Sequence, residues 1–145
     1  MSERTEARLE VPADGEAMGH IRDLVDRFGR DCRIGRDDIV RVLIAAEELV
    51  TNIVRYGYGA AAEPGSAAVT LKLDGDRLSL QIIDDSHAFD PFATPDPTDL
   101  DAPIEERRVG GLGLYLVKTL MDRTSYRRDG DHNVVEISRR VALEK

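Results

Sequence analysis

The sequence predicts an α+β two-layer sandwich, in which a mostly antiparallel mixed sheet carries helices on one face. Stretches that alternate between apolar and polar residues indicate five strands, and apolar residues at helical spacing indicate three helices. Two strand pairs are joined by short turns, Asp74-Gly75-Asp76 and Asp129-Gly130-Asp131, whose composition is typical of hairpins. Because consecutive hairpins pair antiparallel strands, we expect the helices to cover one face of the sheet.

The first half of the chain is predicted to contain one strand and two helices. Apolar alternation over residues 5–11 indicates the strand. Apolar residues three and four positions apart indicate helices over 15–32 and 39–56, the second with a broad apolar face. Acidic residues are the expected N-caps: Asp14 for the first helix, and Asp37 or Asp38 for the second.

The second half is predicted to contain four strands, one helix and a long loop. The strands are expected over residues 69–74, 78–84, 123–128 and 132–141, and the helix from the glycines at 110–113 to residue 121. Residues 86–109 hold four prolines among acidic residues and show no periodicity. A loop of this length inside a compact domain is usually functional or disordered.

The overall composition excludes several classes of protein. The 145 residues are expected to form one domain, 1–145, with its own hydrophobic core. A net charge of −8 argues against direct binding to nucleic acid, because no basic patch dominates. The single cysteine, Cys32, excludes an intrachain disulfide. Since we find neither a membrane span nor a secretory signal, we expect a cytoplasmic protein without a membrane partner.

A carboxylate and a carboxamide lie one turn apart on the second predicted helix. Glu48 and Asn52 are four residues apart, so they point the same way from the helix. A carboxylate at such a place can orient or deprotonate a nucleophile. An amide oxygen can ligate a hard cation such as Mg²⁺. On the helix alone, a solvated face that carries two polar residues is the favoured interpretation.

Two further stretches carry groups suited to a nucleotide. Asp84 ends a strand, where its carboxylate can accept a hydrogen bond from an amine such as that of adenine, or simply form a turn. Gly110, Gly111 and Gly113 lead into a helix whose unpaired N–H groups and dipole favour phosphate. The glycines alone fit a flexible loop equally well. Phe89 is expected either to close over a ligand or to anchor the long loop.

In this order, the three stretches resemble the motifs of the GHKL ATPase superfamily, whose ATP-binding domain has the Bergerat, or histidine-kinase-like, fold. Residues 46–52, AEELVTN, are similar to its N box. Residues 84–91, DDSHAFDP, are similar to its first glycine box, and residues 110–116, GGLGLYL, to its second. More narrowly, the chain resembles the anti-sigma factor serine kinase branch, and the resemblance covers nearly the whole sequence.

The resemblance implies an ATP- and Mg²⁺-dependent protein serine kinase with residues 86–109 as its ATP lid. It makes Glu48 the general base, Asn52 the Mg²⁺ ligand and Asp84 the contact to adenine. The other residues it places at the nucleotide are Ser86, Phe89, Gly110, Gly111, Leu112, Gly113 and Leu114. The implied protein substrate is a STAS-type anti-sigma factor antagonist and the other partner is a sigma factor. Members of the branch are commonly homodimers.

Two positions depart from the family pattern. Ser86 stands where the first glycine box usually has glycine, and Tyr56 lies one turn after Asn52, where the family often has histidine. If position 86 requires a positive φ or a close approach to adenine, serine weakens nucleotide binding. This departure favours an alternative, a nucleotide-binding or degenerate module that sequesters a partner without kinase activity. The ATP-binding part of a histidine kinase is disfavoured, because we expect no helical hairpin with a phosphoacceptor histidine upstream.

Overall fold

A computed structural model describes residues 4–58, 65–93 and 112–144 of the chain. The helices α1, α2 and α3 span Ala17–Asp31, Arg36–Asn52 and Leu112–Leu120. The strands β1 to β5 span Arg4–Pro12, Ser66–Asp74, Arg77–Asp84, Arg123–Asp129 and His132–Arg140. A π-helical turn, Ile53–Tyr58, follows α2, and a short 3₁₀ turn spans Pro91–Ala93.

The five strands form one sheet in the order β1-β2-β3-β5-β4. All four pairings are antiparallel, which confirms the predicted α+β class, and the described strands include no parallel pair of the kind a mixed sheet contains. Each hairpin turns on a glycine with positive φ, 62° at Gly75 and 58° at Gly130, as the predicted turns require. β5, the last strand along the chain, therefore lies inside the sheet, between β3 and β4.

One face of the sheet and the helices share a single hydrophobic core. Side chains along β3 alternate between buried and half-buried, so every second residue faces the core. Residues of the three helices lie in the same cluster as those of the strands, among them Ile21, Leu49, Leu80, Val117 and Ile137. The helices thus cover one face of the sheet, as predicted. None of the described helices is long and apolar enough to cross a membrane.

The acidic N-caps predicted for α1 and α2 are wrong. The Asp14 carboxylate accepts a hydrogen bond from the backbone N–H of Glu16 at 2.9 Å, before α1 begins. Gly35 is the residue that precedes α2, and Asp38 lies inside the first turn of that helix. Asp38 Oδ2 instead accepts a hydrogen bond from the backbone N–H of Ala142 at 2.8 Å. A contact with a distant part of the chain has replaced the expected local cap.

Arg139 on β5 joins the start of α2 to the end of α3. Its Nη2 lies 3.0 Å from Asp38 Oδ1, and both side chains are largely buried. Its Nη1 donates a hydrogen bond to the carbonyl oxygen of Leu120 at 2.6 Å. We call these contacts the Asp38–Arg139 clamp. Since the clamp places the C-terminal end of α3 beside the start of α2, the N-terminal end of α3 lies near the last turns of α2.

The α-helical part of α2 ends earlier than the predicted boundary at residue 56. Regular α-helical hydrogen bonding stops at Asn52, and the π-helical turn Ile53–Tyr58 continues the chain. π-helical turns are rare and occur frequently at functional sites. The side chain of Tyr56, which departs from the family pattern, lies outside the described part of the structure.

Candidate functional site

Glu48 and Gly113, which the motifs assign to one site, lie in contact where α2 packs against α3. A methyl group placed on Gly113 would lie 2.0 Å from Glu48 Oε2 and 2.7 Å from Glu48 Cδ, far inside van der Waals distance. Glycine at this position therefore allows the carboxylate to rest against the first turn of α3. The positive end of the helix dipole favours negative charge at the same place.

The Glu48 carboxylate remains available to a substrate. It is half-buried, and no described residue donates a hydrogen bond to it or pairs with it. The adjacent Glu47 is exposed, and its Oε2 lies 4.0 Å from Nη2 of Arg22 on α1. The two neighbouring acids thus face different helices. This difference supports Glu48 as the acid at the site.

Asn52 lies one turn beyond Glu48, where α2 gives way to the π-helical turn. Its Nδ2 donates a hydrogen bond to the carbonyl oxygen of Glu48 at 2.7 Å, so the amide oxygen is left for other partners. The half-buried side chain lines the same pocket as Asp84. An amide oxygen in this position suits Mg²⁺, which prefers oxygen ligands and completes its shell with water and substrate phosphates.

Protein groups alone do not form a metal centre in the described residues. No group of three or more His, Cys, Asp or Glu side chains there can hold a metal ion. A cation at Asn52 would therefore depend on phosphate oxygens, which is usual for Mg²⁺ bound with a nucleotide.

Burial, and to a smaller extent the Asp31 carboxylate, raises the pKa of the Cys32 thiol, so this cysteine is neutral at pH 7.

Asp84, at the end of β3, is 1% exposed. Its Oδ1 accepts three hydrogen bonds, from the Ser86 backbone N–H at 3.0 Å, from the Ser86 hydroxyl and from Asn133 Nδ2 at 3.1 Å. No described residue donates to Oδ2, although Asp84 lines a pocket. A carboxylate with one saturated oxygen and one available oxygen is suited to accept a hydrogen bond from an amine.

Asn133 holds Asp84 in place, and the sequence pattern did not reveal it. It lies on β5, opposite Asp84 on β3 and opposite Arg128 on β4, and is 3% exposed. Its Nδ2 donates to Asp84 and to the carbonyl oxygen of His87 at 2.9 Å. Its Oδ1 accepts from the Tyr126 hydroxyl at 2.6 Å, Arg128 Nη1 at 3.2 Å and the Phe89 N–H at 3.4 Å. A polar residue at the start of a buried strand, between the hairpin turn and Val134, is the signal that could have identified it.

Ser86 fits its position without backbone strain. Apart from glycines, Arg33 is the single described residue with positive φ, so Ser86 does not adopt the left-handed conformation that favours glycine. The side chain is buried, and its hydroxyl donates a hydrogen bond to Asp84. The serine that departs from the family pattern therefore strengthens the hold on the Asp84 carboxylate.

Apart from Glu48 and Gly113, these side chains line one narrow cavity with a water-accessible volume of about 10 Å³. Its apolar walls come from α2, from the π-helical turn, from β5 and from the start of the long loop: Leu49, Ile53, Phe89, Pro91 and Val135. Its polar groups are Asn52, Asp84, Ser86 and Asn133. Phe89 is half-buried and forms part of the wall, which supports a contact with a ligand. Apolar walls with a few converging polar groups are typical of small-molecule sites.

The remaining residues predicted for the site lie either at the start of α3 or outside the part of the chain that the structure describes. The side chain of Leu112 is exposed, whereas that of Leu114 is buried in the hydrophobic core. Gly110 and Gly111 lie outside the described residues, as do residues 94–109 of the predicted lid. The described part of the chain thus brings together the N box, the first glycine box and Gly113.

Comparison with known proteins gives the same assignment. Residues 11–139 match the model of the histidine kinase-like ATPase domain. A serine-protein kinase RsbW from Halalkalibacterium halodurans is 33% identical over 124 residues, which are 83% of this chain and 75% of that protein. A serine-protein kinase RsbW from Bacillus cereus is 34% identical over 126 residues, or 84% of this chain and 78% of that protein.

A solved structure shares the fold. The chain of the RsbU and RsbW domains of Rv1364c from Mycobacterium tuberculosis aligns with a TM-score of 0.67 and 17% identity. The alignment covers 97% of this chain, which spans only 33% of that longer one. The matched ATPase domain and the kinase relatives imply the use of ATP. The chain therefore belongs to the histidine-kinase-like ATPase family, in the anti-sigma factor serine kinase branch that its motifs resemble.

Proposed function

We propose that the chain is an ATP-dependent protein serine kinase that phosphorylates a STAS-domain anti-sigma factor antagonist and sequesters a sigma factor. The observation that carries this proposal is the position of the Glu48 carboxylate. The carboxylate rests against Gly113 at the start of α3, and no described residue forms a hydrogen bond or an ion pair with it. An available base beside a helix N-terminus that favours phosphate is suited to phosphoryl transfer.

In the proposed complex, the base of the nucleotide lies in the pocket beside Asp84, and its phosphates extend toward Gly113. Asp84 Oδ2 accepts a hydrogen bond from the adenine amino group. Gly110, Gly111 and the N–H groups at the start of α3 receive the phosphates. Asn52 Oδ1 holds Mg²⁺, which supplies positive charge to the phosphate oxygens when it is bound. Positioning and charge neutralisation are the main requirements of phosphoryl transfer.

The proposed role of Glu48 is to accept the proton of the substrate serine. The serine oxygen forms a bond with the γ-phosphorus of ATP, and the bond from that phosphorus to the oxygen bridging it to the β-phosphorus breaks. The serine proton passes to the Glu48 carboxylate, and the products are ADP and phosphoserine. The name of the relatives, serine-protein kinase, supports a protein serine as the acceptor.

We place the protein in the cytoplasm as one domain, residues 1–145, with residues 86–109 as the lid over ATP. The position of β1 at an edge of the sheet supports a homodimer, because an edge strand offers unpaired N–H and C=O groups. The alternative of a module without kinase activity rested on Ser86. The unstrained backbone at Ser86 answers the conformational part of that argument, whereas the Ser86 side chain still lines the pocket.

Glu48→Gln tests the proposed base directly. Phosphoryl transfer from Mg-ATP to a purified STAS-domain protein of the source organism should fall by roughly 10²- to 10⁴-fold, because glutamine cannot accept the proton. ATP affinity, measured by titration calorimetry, should change little. The matched control is Glu47→Gln on the exposed side of the same helix turn, which should keep full activity. Wild-type protein that binds no nucleotide at millimolar Mg-ATP would refute the proposed function.

A further inference from the structure

We propose that the end of α2 away from the nucleotide site carries a docking groove for an acidic segment of a partner protein, with an apolar side chain between its carboxylates. The groove lies where α1 ends and α2 begins, and three arginines line it: Arg30, Arg33 and Arg36. Arg36 precedes Glu48 by twelve residues of α2, or about 18 Å along the helix axis. A partner in this arginine groove need not cover the nucleotide site, so the inference goes beyond the proposed kinase and does not depend on it.

Arg33 occupies a backbone position at which glycine is the usual residue. It follows the C-cap of α1 and has a φ of 57°, in the left-handed region. Its N–H donates a hydrogen bond to the carbonyl oxygen of Arg30 at 3.2 Å, and the N–H of Ile34 donates to that of Gly29 at 2.9 Å. This pair of bonds is the Schellman motif, in which glycine avoids the steric cost of a Cβ atom. Since arginine costs stability here, the turn itself does not explain it, and a contact of its guanidinium group does.

The guanidinium groups of Arg30 and Arg33 remain available to a partner. Both residues are exposed, and neither side chain forms a hydrogen bond or an ion pair within the described part of the chain. Arg36 differs, because its Nη1 lies 2.9 Å from Oδ1 of Asp26. A guanidinium group binds a carboxylate through two parallel hydrogen bonds. The arginine groove therefore offers two such groups for carboxylates of a partner.

Apolar residues form the floor of the arginine groove. Ile34 and Ile39 are 5% and 3% exposed, and a methyl group on Gly29 would lie 2.6 Å from Cδ1 of Ile39. Leu143 lies beside this floor, because it pairs with Ile34 in an isolated β-bridge, and its side chain is exposed. The groove has a water-accessible volume of about 280 Å³. Its shape and its apolar floor suit an apolar side chain that lies between the two arginine contacts.

The charges favour a protein segment over a polyanion as the occupant. The net charge of −8 repels nucleic acid and anionic lipid surfaces. Two carboxylates, those of Asp26 and Glu144, line the groove together with the arginines. A dense row of phosphates would meet these acids. A segment with two spaced carboxylates can contact Arg30 and Arg33 without approaching them.

A titration of the whole chain, followed by its amide NMR signals, tests the arginine groove. The probe is a short synthetic peptide with a leucine between two pairs of glutamates, and the control peptide has lysine in place of each glutamate. The glutamate peptide should shift the amide signals of residues 29–36 and 142–144 and leave those of Glu48 and Asn52 unchanged. The lysine peptide should shift none of them. The absence of shifts at residues 29–36 with the glutamate peptide would overturn the inference. The same shifts with sodium acetate alone would also overturn it, because they would indicate a site for simple anions.

Arg33→Gly separates docking from a structural role. It removes the guanidinium group and introduces the residue that the left-handed position favours, so Tm should stay the same or rise. The affinity for the glutamate peptide should fall about tenfold, as expected for a lost hydrogen-bonded ion pair. Arg27→Ala removes an equal charge from an exposed position of α1 outside the groove and should keep the affinity. Equal affinities in the two variants would contradict the docking role, and a lower Tm in Arg33→Gly would show that the arginine stabilises the helix end instead.

Discussion

The two ends of the candidate nucleotide site are built in different ways. At the base end, Asp84, Ser86 and Asn133 are buried and joined by hydrogen bonds across β3 and β5. At the phosphate end, Glu48 and Gly113 meet where two helices pack, and no described residue bonds the Glu48 carboxylate. The base end is therefore fixed before a ligand arrives, whereas the phosphate end depends on helix packing to place its acid.

Because of this difference, we expect one end to determine nucleotide affinity and the other to determine the rate of phosphoryl transfer. Changes at the base end should alter which nucleotide binds and how tightly. If Glu48 is the base, as we propose, changes at the phosphate end should alter phosphoryl transfer, because its carboxylate has to be positioned to remove the proton. Three substitutions test whether the two ends can be perturbed separately.

Gly113→Ala should produce the largest effect. Its methyl group would overlap Glu48 Oε2, so the carboxylate has to move away from the start of α3. We expect phosphoryl transfer at saturating ATP to fall on the order of 10³-fold through loss of the positioned base. ATP affinity should fall much less. The control is Gly19→Ala on α1, where an added methyl group meets nothing within 4 Å. Full activity in Gly113→Ala would show that the contact with Glu48 has no role in the reaction.

Asp84→Asn should produce the next largest effect, and at the other end of the site. The asparagine oxygen can keep the three donors from Ser86 and Asn133, so its NH₂ group takes the place of Oδ2. That donor would face the amino group of adenine, and we expect ATP affinity to fall roughly 10- to 100-fold. Asp74→Asn, the same change at an exposed position, should leave ATP affinity as it is. Titration calorimetry checks both variants, and unchanged ATP affinity in Asp84→Asn would contradict the assignment of the base end.

Arg139→Ala should have the smallest of the three effects and should act mainly on stability. It removes the clamp from Asp38 and from the carbonyl of Leu120, so Asp38 keeps the hydrogen bond from the Ala142 N–H and a longer pairing with Arg41 at 3.7 Å. We expect the free energy of unfolding to fall by about 2 kcal/mol, less than for a fully buried pair. Urea denaturation measures the change.

The neighbouring pair provides the control for the clamp. Arg140 pairs with Asp76 on an exposed part of the surface, so Arg140→Ala should cost less than about 0.5 kcal/mol. If α3 depends on the clamp for its position, Arg139→Ala should also slow phosphoryl transfer while base-end affinity is kept. Equal stability losses in the two variants would remove any special role of the clamp.

The sequence was most informative where structure depends on neighbouring residues. Alternation and the glycine turns predicted all five strands. The family resemblance singled out Glu48, Asn52 and Asp84, whose roles stay predictions. The sequence failed where the partner is distant along the chain. Asn133 bonds Asp84 across 49 positions, and Asp38 bonds Ala142 across 104 positions, so neither role is visible in a local pattern. The cap predicted at Asp38 was wrong for the same reason, whereas Asp14 bonds a neighbouring N–H just before α1 begins.

The place of β5 inside the sheet has a consequence for how the protein is made. During translation β3 emerges from the ribosome well before β5, yet β3 and β4 are joined only through β5. The nascent chain therefore carries one open edge of β3 until the last strand arrives, and such edges favour aggregation. Asn133 arrives with that strand, so the base end of the pocket cannot form before β5 pairs with β3. A nucleotide can then stabilise the finished fold but cannot bind to an incomplete one.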